Sequence, residues 1–221
     1  MHPAFSVIFL TTLIGAGQGL FLALFTGQLY ALANLLPAQT ERFYAIGSLI
    51  SLALLLSGLI ASFFHLGHPE RAWRSAAQWR TSWLSREVLV MPAMMVLVLA
   101  YGLAHYLGLT RPVFTVAGIL PVDPTLLIGA LGTVVAFALF VSTAMIYASV
   151  KFLQEWHSPL TVANFTFLGI ASGFMLAAAY SAYLGNELVV FFGTWAVIAT
   201  ALGFVRSEER RVGKECRSRW S

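Results

Sequence analysis

The amino-acid sequence predicts an all-helical, polytopic membrane protein, with six spans in a chain of 221 residues. Hydrophobic residues make up 59% of it and charged residues 10%, whereas a soluble domain presents roughly a quarter of its residues charged. The apolar residues gather in six runs, each near the roughly 20 residues that a helix needs to cross the hydrocarbon core. None shows the alternation of a transmembrane strand, and only helices and closed barrels satisfy their backbone in lipid.

The first run, 5–36, has no Lys or Arg before it and is about twice as long as the apolar core of a signal peptide, so it reads as a retained helix. Inside it, Gly15-Ala16-Gly17-Gln18-Gly19 mimics a phosphate loop but follows no strand, and the glycines suit close helix packing instead. The second run, 43–65, carries no charge from Gly47 to Phe64. It ends in HLGHPERAW, which packs two histidines, a glutamate and an arginine between His65 and Trp73. Pro69 suits the first position of a helix and Glu70 its first turn. Trp73, Ala76 and Ala77 share a face that Trp79 and Trp83 extend, which predicts a short interfacial helix serving as a membrane-surface anchor or a docking surface. The third run, 83–107, contains Pro92, which predicts a kink. The fourth and fifth runs are 125–153 and 163–184, and Ser172-Gly173 in the fifth reads as another packing site. Gly185-Asn186 makes a tight turn into the sixth run, 188–205.

At Arg206 the composition changes to RSEERRVGKECRSRWS. These 16 residues hold 6 of the 13 Lys+Arg, 3 of the 9 Asp+Glu and the one cysteine, Cys216. They back-translate into a common sequencing-adapter read-through, so the expected organisation is a helical bundle over 1–205 and a non-native tail over 206–221. A basic juxtamembrane segment that binds anionic lipid is the alternative. Residues 1–205 then carry 7 Lys+Arg against 6 Asp+Glu, nearly neutral, with no thiol for a disulfide, a zinc site or a cluster. No nucleic-acid partner is expected.

Successive helices alternate direction, so every loop falls on one of two faces. The face holding the N-terminus collects His65, His68, Glu70, Arg71, Arg74, Arg80, Arg86, Glu87, Lys151, Glu155 and His157. The other holds Glu41, Arg42, Arg111, Asp123 and Glu187, with His105 close by. Five basic residues against two place the rich face in the cytoplasm by the positive-inside rule. A loop that docks a partner keeps its arginines for another reason, so the compartment stays open.

HLGHPERAW, TSWLSREVL at 81–89 and MIYASVKFLQEWHSPLTVANF at 145–165 resemble the membrane anchor subunit of dimethyl sulfoxide reductase, over nearly all of residues 1–205. The His-Leu-Gly-x-Pro-x-Arg-Ala core and Leu-Ser-x-Glu carry most of that resemblance. It implies eight helices, of which the last two are absent here, and a multi-pass subunit of the bacterial cytoplasmic (inner) membrane. It further implies that the subunit oxidises menaquinol and passes electrons to an iron-sulfur subunit, which feeds a molybdopterin catalytic subunit in anaerobic respiration. The subunit itself would hold no haem and no iron-sulfur cluster.

The residues suit that role. Oxidising a quinol removes two electrons and two protons, so proton acceptors are needed at a depth that a lipid-soluble substrate reaches. His65 at the end of the second helix is a base near neutral pH, and Glu87 opens the third helix on the same face. His68, one turn away, is the rival to His65. Arg71 and Arg86 are expected to steady the carboxylate or negative charge on the ring, while Arg74, Arg80 and Lys151 are expected to dock the iron-sulfur subunit. Other classes stay open. The nearest is the quinol-oxidising anchor of another molybdoenzyme, acting on selenate, polysulfide or a similar substrate. A b-type cytochrome anchor would need histidine pairs within the bundle, and a transporter would place ionisable residues or broken helices near the midplane.

Overall fold

The computed structural model describes residues 5–64, 69–116, 120–150 and 156–218. Its helices are α1 (Phe5–Leu32), α2 (Glu41–Phe63), α3 (Trp83–Tyr106), α4 (Pro124–Ala148), α5 (Pro159–Tyr183) and α6 (Leu188–Ser218). The chain is a multi-pass, all-helical membrane protein. Five helices, α1 to α5, are long and apolar enough to cross a bilayer. The sixth expected span is shorter in its apolar part, Leu188–Phe204, and the helix then runs on without interruption past the composition change at Arg206.

The helix ends follow from local chemistry. Thr40, Ser82, Asp123 and Ser158 each accept a hydrogen bond from a first-turn backbone N–H of α2, α3, α4 and α5. Such caps satisfy donors that the helix leaves orphaned, each worth about 1 kcal/mol. Pro124 and Pro159 occupy the first turns of α4 and α5, where a missing N–H costs nothing. Ser158-Pro159 therefore starts α5 four residues before the apolar run does, because a cap sets the boundary and apolarity does not. Gly108 and Gly185 end α3 and α5 with φ of +66° and +65°, the left-handed conformation that glycine adopts without strain. Helix α3 continues through Pro92.

Helix α1 is the centre of the bundle. Gly17, Gln18, Gly19, Leu20, Phe21, Leu22, Ala23, Leu24 and Phe25 are consecutive and all buried, so protein covers every side of this helix. It packs on α2, α4 and α5, α3 packs on α2 and α4, and α6 packs on α5. Helices α1 and α5 come so close that a methyl group on Gly19 would overlap the backbone of Gly169, and one on Gly173 the backbone of Gly19 and Leu20. The glycine run is thus a packing surface, as its sequence context predicts. Large apolar side chains such as Leu49, Val96 and Val134 face outward, with 63%, 63% and 66% of their surface exposed, as lipid-facing positions should be.

Two connections carry structure of their own. Pro69–Gln78 forms a 3-10 helix between α2 and α3, where the sequence predicts a short interfacial helix. On the opposite face, β1 (Phe114–Val116) pairs antiparallel with β2 (Leu120–Val122) in register Phe114↔Val122, Thr115↔Pro121 and Val116↔Leu120. This small hairpin is not anticipated from the residues: three per strand are too few for a periodicity to register.

Candidate functional site

Polar side chains inside a membrane bundle are costly and need a partner. Glu87, one turn into α3, is buried with 7% of its surface exposed. Its Oε1 accepts a hydrogen bond of 2.6 Å from the Thr143 hydroxyl of α4. This contact holds the carboxyl group against the α4 wall at the end of the bundle where α3 and α5 begin.

Thr143 also faces a cavity of about 850 Å³ between α1, α4 and α5. The lining is mostly apolar, with Ile14, Phe140, Phe165 and Leu168 among its residues. The polar groups that reach it include Gln18 from α1, Thr143 and Tyr147 from α4, and Asn164 from α5. Gln18 is 1% exposed, and among the described residues neither its Oε1 nor the Oδ1 of Asn164 has a hydrogen-bond partner. Trp156 and Tyr147 meet edge to face at 5.4 Å at the mouth-side wall, and Tyr147 stacks on Phe165 at 5.1 Å. A cavity of this size with a few convergent polar groups is the usual form of a small-molecule site.

At the opposite end of the bundle the polar groups satisfy one another. The Tyr101 hydroxyl donates to Gln28 Oε1 at 2.7 Å, the Gln28 amide donates to Thr125 Oγ1 at 2.6 Å, and Thr125 donates to Asp123 Oδ1 at 2.6 Å. Asp123 also accepts from Leu126 N as the cap of α4. Thr110 donates to Glu41, and the Asn186 side chain donates to Gln39. Beside this network His105 is 2% exposed, stacked on Tyr44 at 4.6 Å and edge-on to Tyr101 at 4.7 Å, with no partner for either ring nitrogen. It borders a smaller cavity of about 220 Å³ with Gln28, Glu41 and Asp123.

A family model described as "DMSO reductase anchor subunit (DmsC)" matches residues 1–207. The chain belongs to this anchor-subunit family. One relative is a sulfite dehydrogenase subunit of Allochromatium vinosum, 71% identical over 203 residues. The aligned region is 92% of this chain and 62% of the relative, so the chain spans under two thirds of that protein's length. No solved structure matches the chain.

Measured against the anchor-family motifs, the structure separates the expected site residues. Glu87 is buried and hydrogen-bonded to Thr143, which lines the cavity. His65, His68 and Lys151 lie outside the described residues, as does the side chain of Arg71. Arg86 is occupied elsewhere. Its guanidinium donates to the carbonyls of Trp79 and Arg80, each at 3.0 Å, and lies 4.1 Å from the centre of the Trp83 ring. These contacts tie the loop to the start of α3. Arg74 and Arg80 are exposed on the same face, Arg80 lying 5.3 Å from the Trp79 ring. His157, at the start of α5, brings Nδ1 to 2.7 Å from Ala148 O, where a protonated nitrogen donates and ties the α4–α5 loop. Thr143, Gln18 and Asn164 are not singled out by the sequence. Their signal is a polar residue inside an apolar span, and Gln18 is masked by the glycine run around it.

Proposed function

We propose that this chain is the quinone-handling membrane anchor of a molybdoenzyme complex, exchanging electrons between the membrane menaquinone pool and an iron-sulfur subunit docked on the Arg74 and Arg80 face. The observation that carries this reading is the apolar cavity bordered by Thr143, with the buried Glu87 carboxyl bonded to the same hydroxyl. The cavity suits an aromatic ring with an apolar tail, and the carboxyl group suits its proton chemistry. Quinol oxidation releases two electrons and two protons. Glu87 takes one proton as general base, with Thr143 holding the carboxyl group in place and bridging it to the cavity wall. His65 is assigned the other proton, since it follows α2 at the same end of the bundle. Arg71 is assigned to steady charge beside it. No prosthetic group of this chain takes part, and electrons pass on to the iron-sulfur subunit and then to a molybdopterin subunit. The anchor belongs in this reading to the bacterial cytoplasmic membrane.

The direction of electron flow has a second reading that the 71% identical relative favours. A sulfite dehydrogenase withdraws electrons from its substrate, so its anchor would reduce quinone where a dimethyl sulfoxide reductase anchor oxidises quinol. The same groups serve both directions, because a base that accepts a quinol proton returns it to a quinone. Glu87 and His65 are therefore assigned proton exchange without regard to direction.

In membranes carrying the whole complex, His65→Arg keeps a long polar side chain but leaves a cation that stays protonated. Quinone-linked turnover should fall about 100-fold or more, the low end of general-base loss. Glu87→Gln should impair turnover less, and an artificial redox partner acting directly on the catalytic subunits should bypass both lesions. Normal quinone-linked turnover in both variants would overturn the reading. Feeding the complex sulfite with a quinone, and separately an S-oxide with a quinol, assigns the direction.

A further inference from the structure

We propose that Gln18 and Asn164 form a two-amide clamp that positions the quinone ring in the α1/α4/α5 cavity, Gln18 at its inner end and Asn164 at its outer end. This rests on the quinone reading above and goes beyond it, because neither residue belongs to the motifs that mark the proton-exchanging groups.

The argument begins with cost. A buried polar atom without a partner forfeits about 1–3 kcal/mol, so folded proteins keep few of them. Among the described residues five such side-chain atoms remain, and two of them belong to residues lining this one cavity. Gln18 stands among helices that satisfy most of their polar groups internally. Ser51, for comparison, reaches from α2 to donate to Gly17 O at 2.7 Å, one residue away from Gln18. The Gln18 amide oxygen thus stays orphaned beside a working hydrogen-bond system, at the wall of a cavity of about 850 Å³.

Depth then orders the groups. Gly169 of α5 meets both Gly15 and Gly19 of α1, which puts it between them, near the level of residue 17. At a rise of about 1.5 Å per residue, Gln18 lies roughly 1.5 Å deeper than that level and Asn164 roughly 7.5 Å shallower. Phe140 of α4 reaches the Gly169 level, and Thr143 lies one turn shallower on that helix, between the two amides in depth. A ring with an oxygen at each end spans an interval of this order and passes Thr143 on the way.

The chemistry of a primary amide fits this task better than that of a charged group. It carries both a donor and an acceptor, so it donates to a quinone carbonyl and accepts from a quinol hydroxyl without changing its own protonation. A clamp of two amides holds oxidised and reduced rings alike. Proton exchange is left to Glu87, and the clamp sets the ring's position against it.

The test uses the purified complex with Gln18→Met and Asn164→Leu, which keep approximate side-chain volume and remove the hydrogen-bonding groups. The probe is a short-chain 1,4-naphthoquinone, read by quenching of tryptophan fluorescence, since Trp156 lines the cavity. Each variant should weaken quinone binding about tenfold, the loss of one buried hydrogen bond. KM for the quinone substrate should rise by a similar factor, with artificial-partner activity, which bypasses the cavity, within about twofold of the parent. Ser181→Ala is the control, because it removes another buried unpartnered group from α5 outside the cavity. Unchanged binding in both variants, or an equal loss in Ser181→Ala, overturns the clamp. Absence of saturable binding in the parent complex overturns the quinone reading itself.

Discussion

Two sets of polar side chains, one at each end of the bundle, are treated in opposite ways, although His105 and Ser181 at the hairpin end also keep unpartnered atoms among the described residues. At the hairpin end, Tyr101, Gln28, Thr125 and Asp123 form a closed chain of hydrogen bonds in which each side chain is donor or acceptor to the next. At the other end, among the described residues, Glu87 is bonded to Thr143, while Gln18 and Asn164 border a large cavity with unpartnered oxygens. A satisfied network rigidifies a fold, and an unsatisfied one beside space is what a ligand site requires. On the proposed function, the hairpin end holds the helices in register and the cavity end takes the quinone.

Breaking each end should therefore have different consequences. The largest stability loss is expected from Gln28→Leu, which strips the Tyr101 hydroxyl of its acceptor and Thr125 of a donor. Interhelical hydrogen bonds in membranes contribute about 0.6 kcal/mol on average and up to about 1.7, and two broken together should cost about 2 kcal/mol. Denaturant unfolding of the detergent-solubilised protein reads this, while quinone-linked turnover per folded complex should hold. A turnover collapse at unchanged stability would erase the contrast between the two ends.

Thr143→Val, an isosteric change at the cavity end, should do the reverse in kind. It removes the hydrogen bond that holds the Glu87 carboxyl group and should lower turnover about tenfold, equivalent to about 1.4 kcal/mol of transition-state stabilisation. Double substitution with Glu87→Gln should add little, because both act on one contact. Strict additivity in a double-mutant cycle would separate Thr143 from the carboxyl group's work.

Asp123→Ala removes the α4 cap and the Thr125 partner together, with an expected cost of about 1 kcal/mol in stability and none in turnover. The smallest effect is expected at His105. Its two ring nitrogens have no partner in a buried aromatic stack, so His105→Phe keeps the stacking on Tyr44 and removes unsatisfied polar atoms. The variant should unfold at the same or a higher denaturant concentration than the parent, by up to about 1 kcal/mol. A clear destabilisation would mean that water or another group in the cavity beside Glu41 and Asp123 supplies the missing partners.

The local elements are legible in the residues themselves. An apolar run must become a helix in lipid, because no other single segment satisfies its own backbone there. Thr40, Ser82, Asp123-Pro124 and Ser158-Pro159 set the helix starts by chemistry confined to three or four residues, a signal that the apolar runs by themselves do not carry. Gly185 marks a turn for the same kind of reason, and Glu87 stands out as a carboxyl group at the edge of an apolar span. The pairings are not legible. Glu87 and Thr143 are 56 residues apart, Tyr101 and Gln28 are 73, and Gln28 and Thr125 are 97. Which faces of two helices meet depends on their rotation and spacing, and here the glycines of α1 and α5 bring those two helices into backbone contact while α4 stands off to leave the cavity. The helices, their caps and a carboxyl group near one end thus follow from the residues in order along the chain. That this group bonds to Thr143, that Gln18 faces a cavity instead of lipid, and that Arg86 is spent on its own loop follow from packing, because each is a contact set by the mutual orientation of segments that no local pattern encodes.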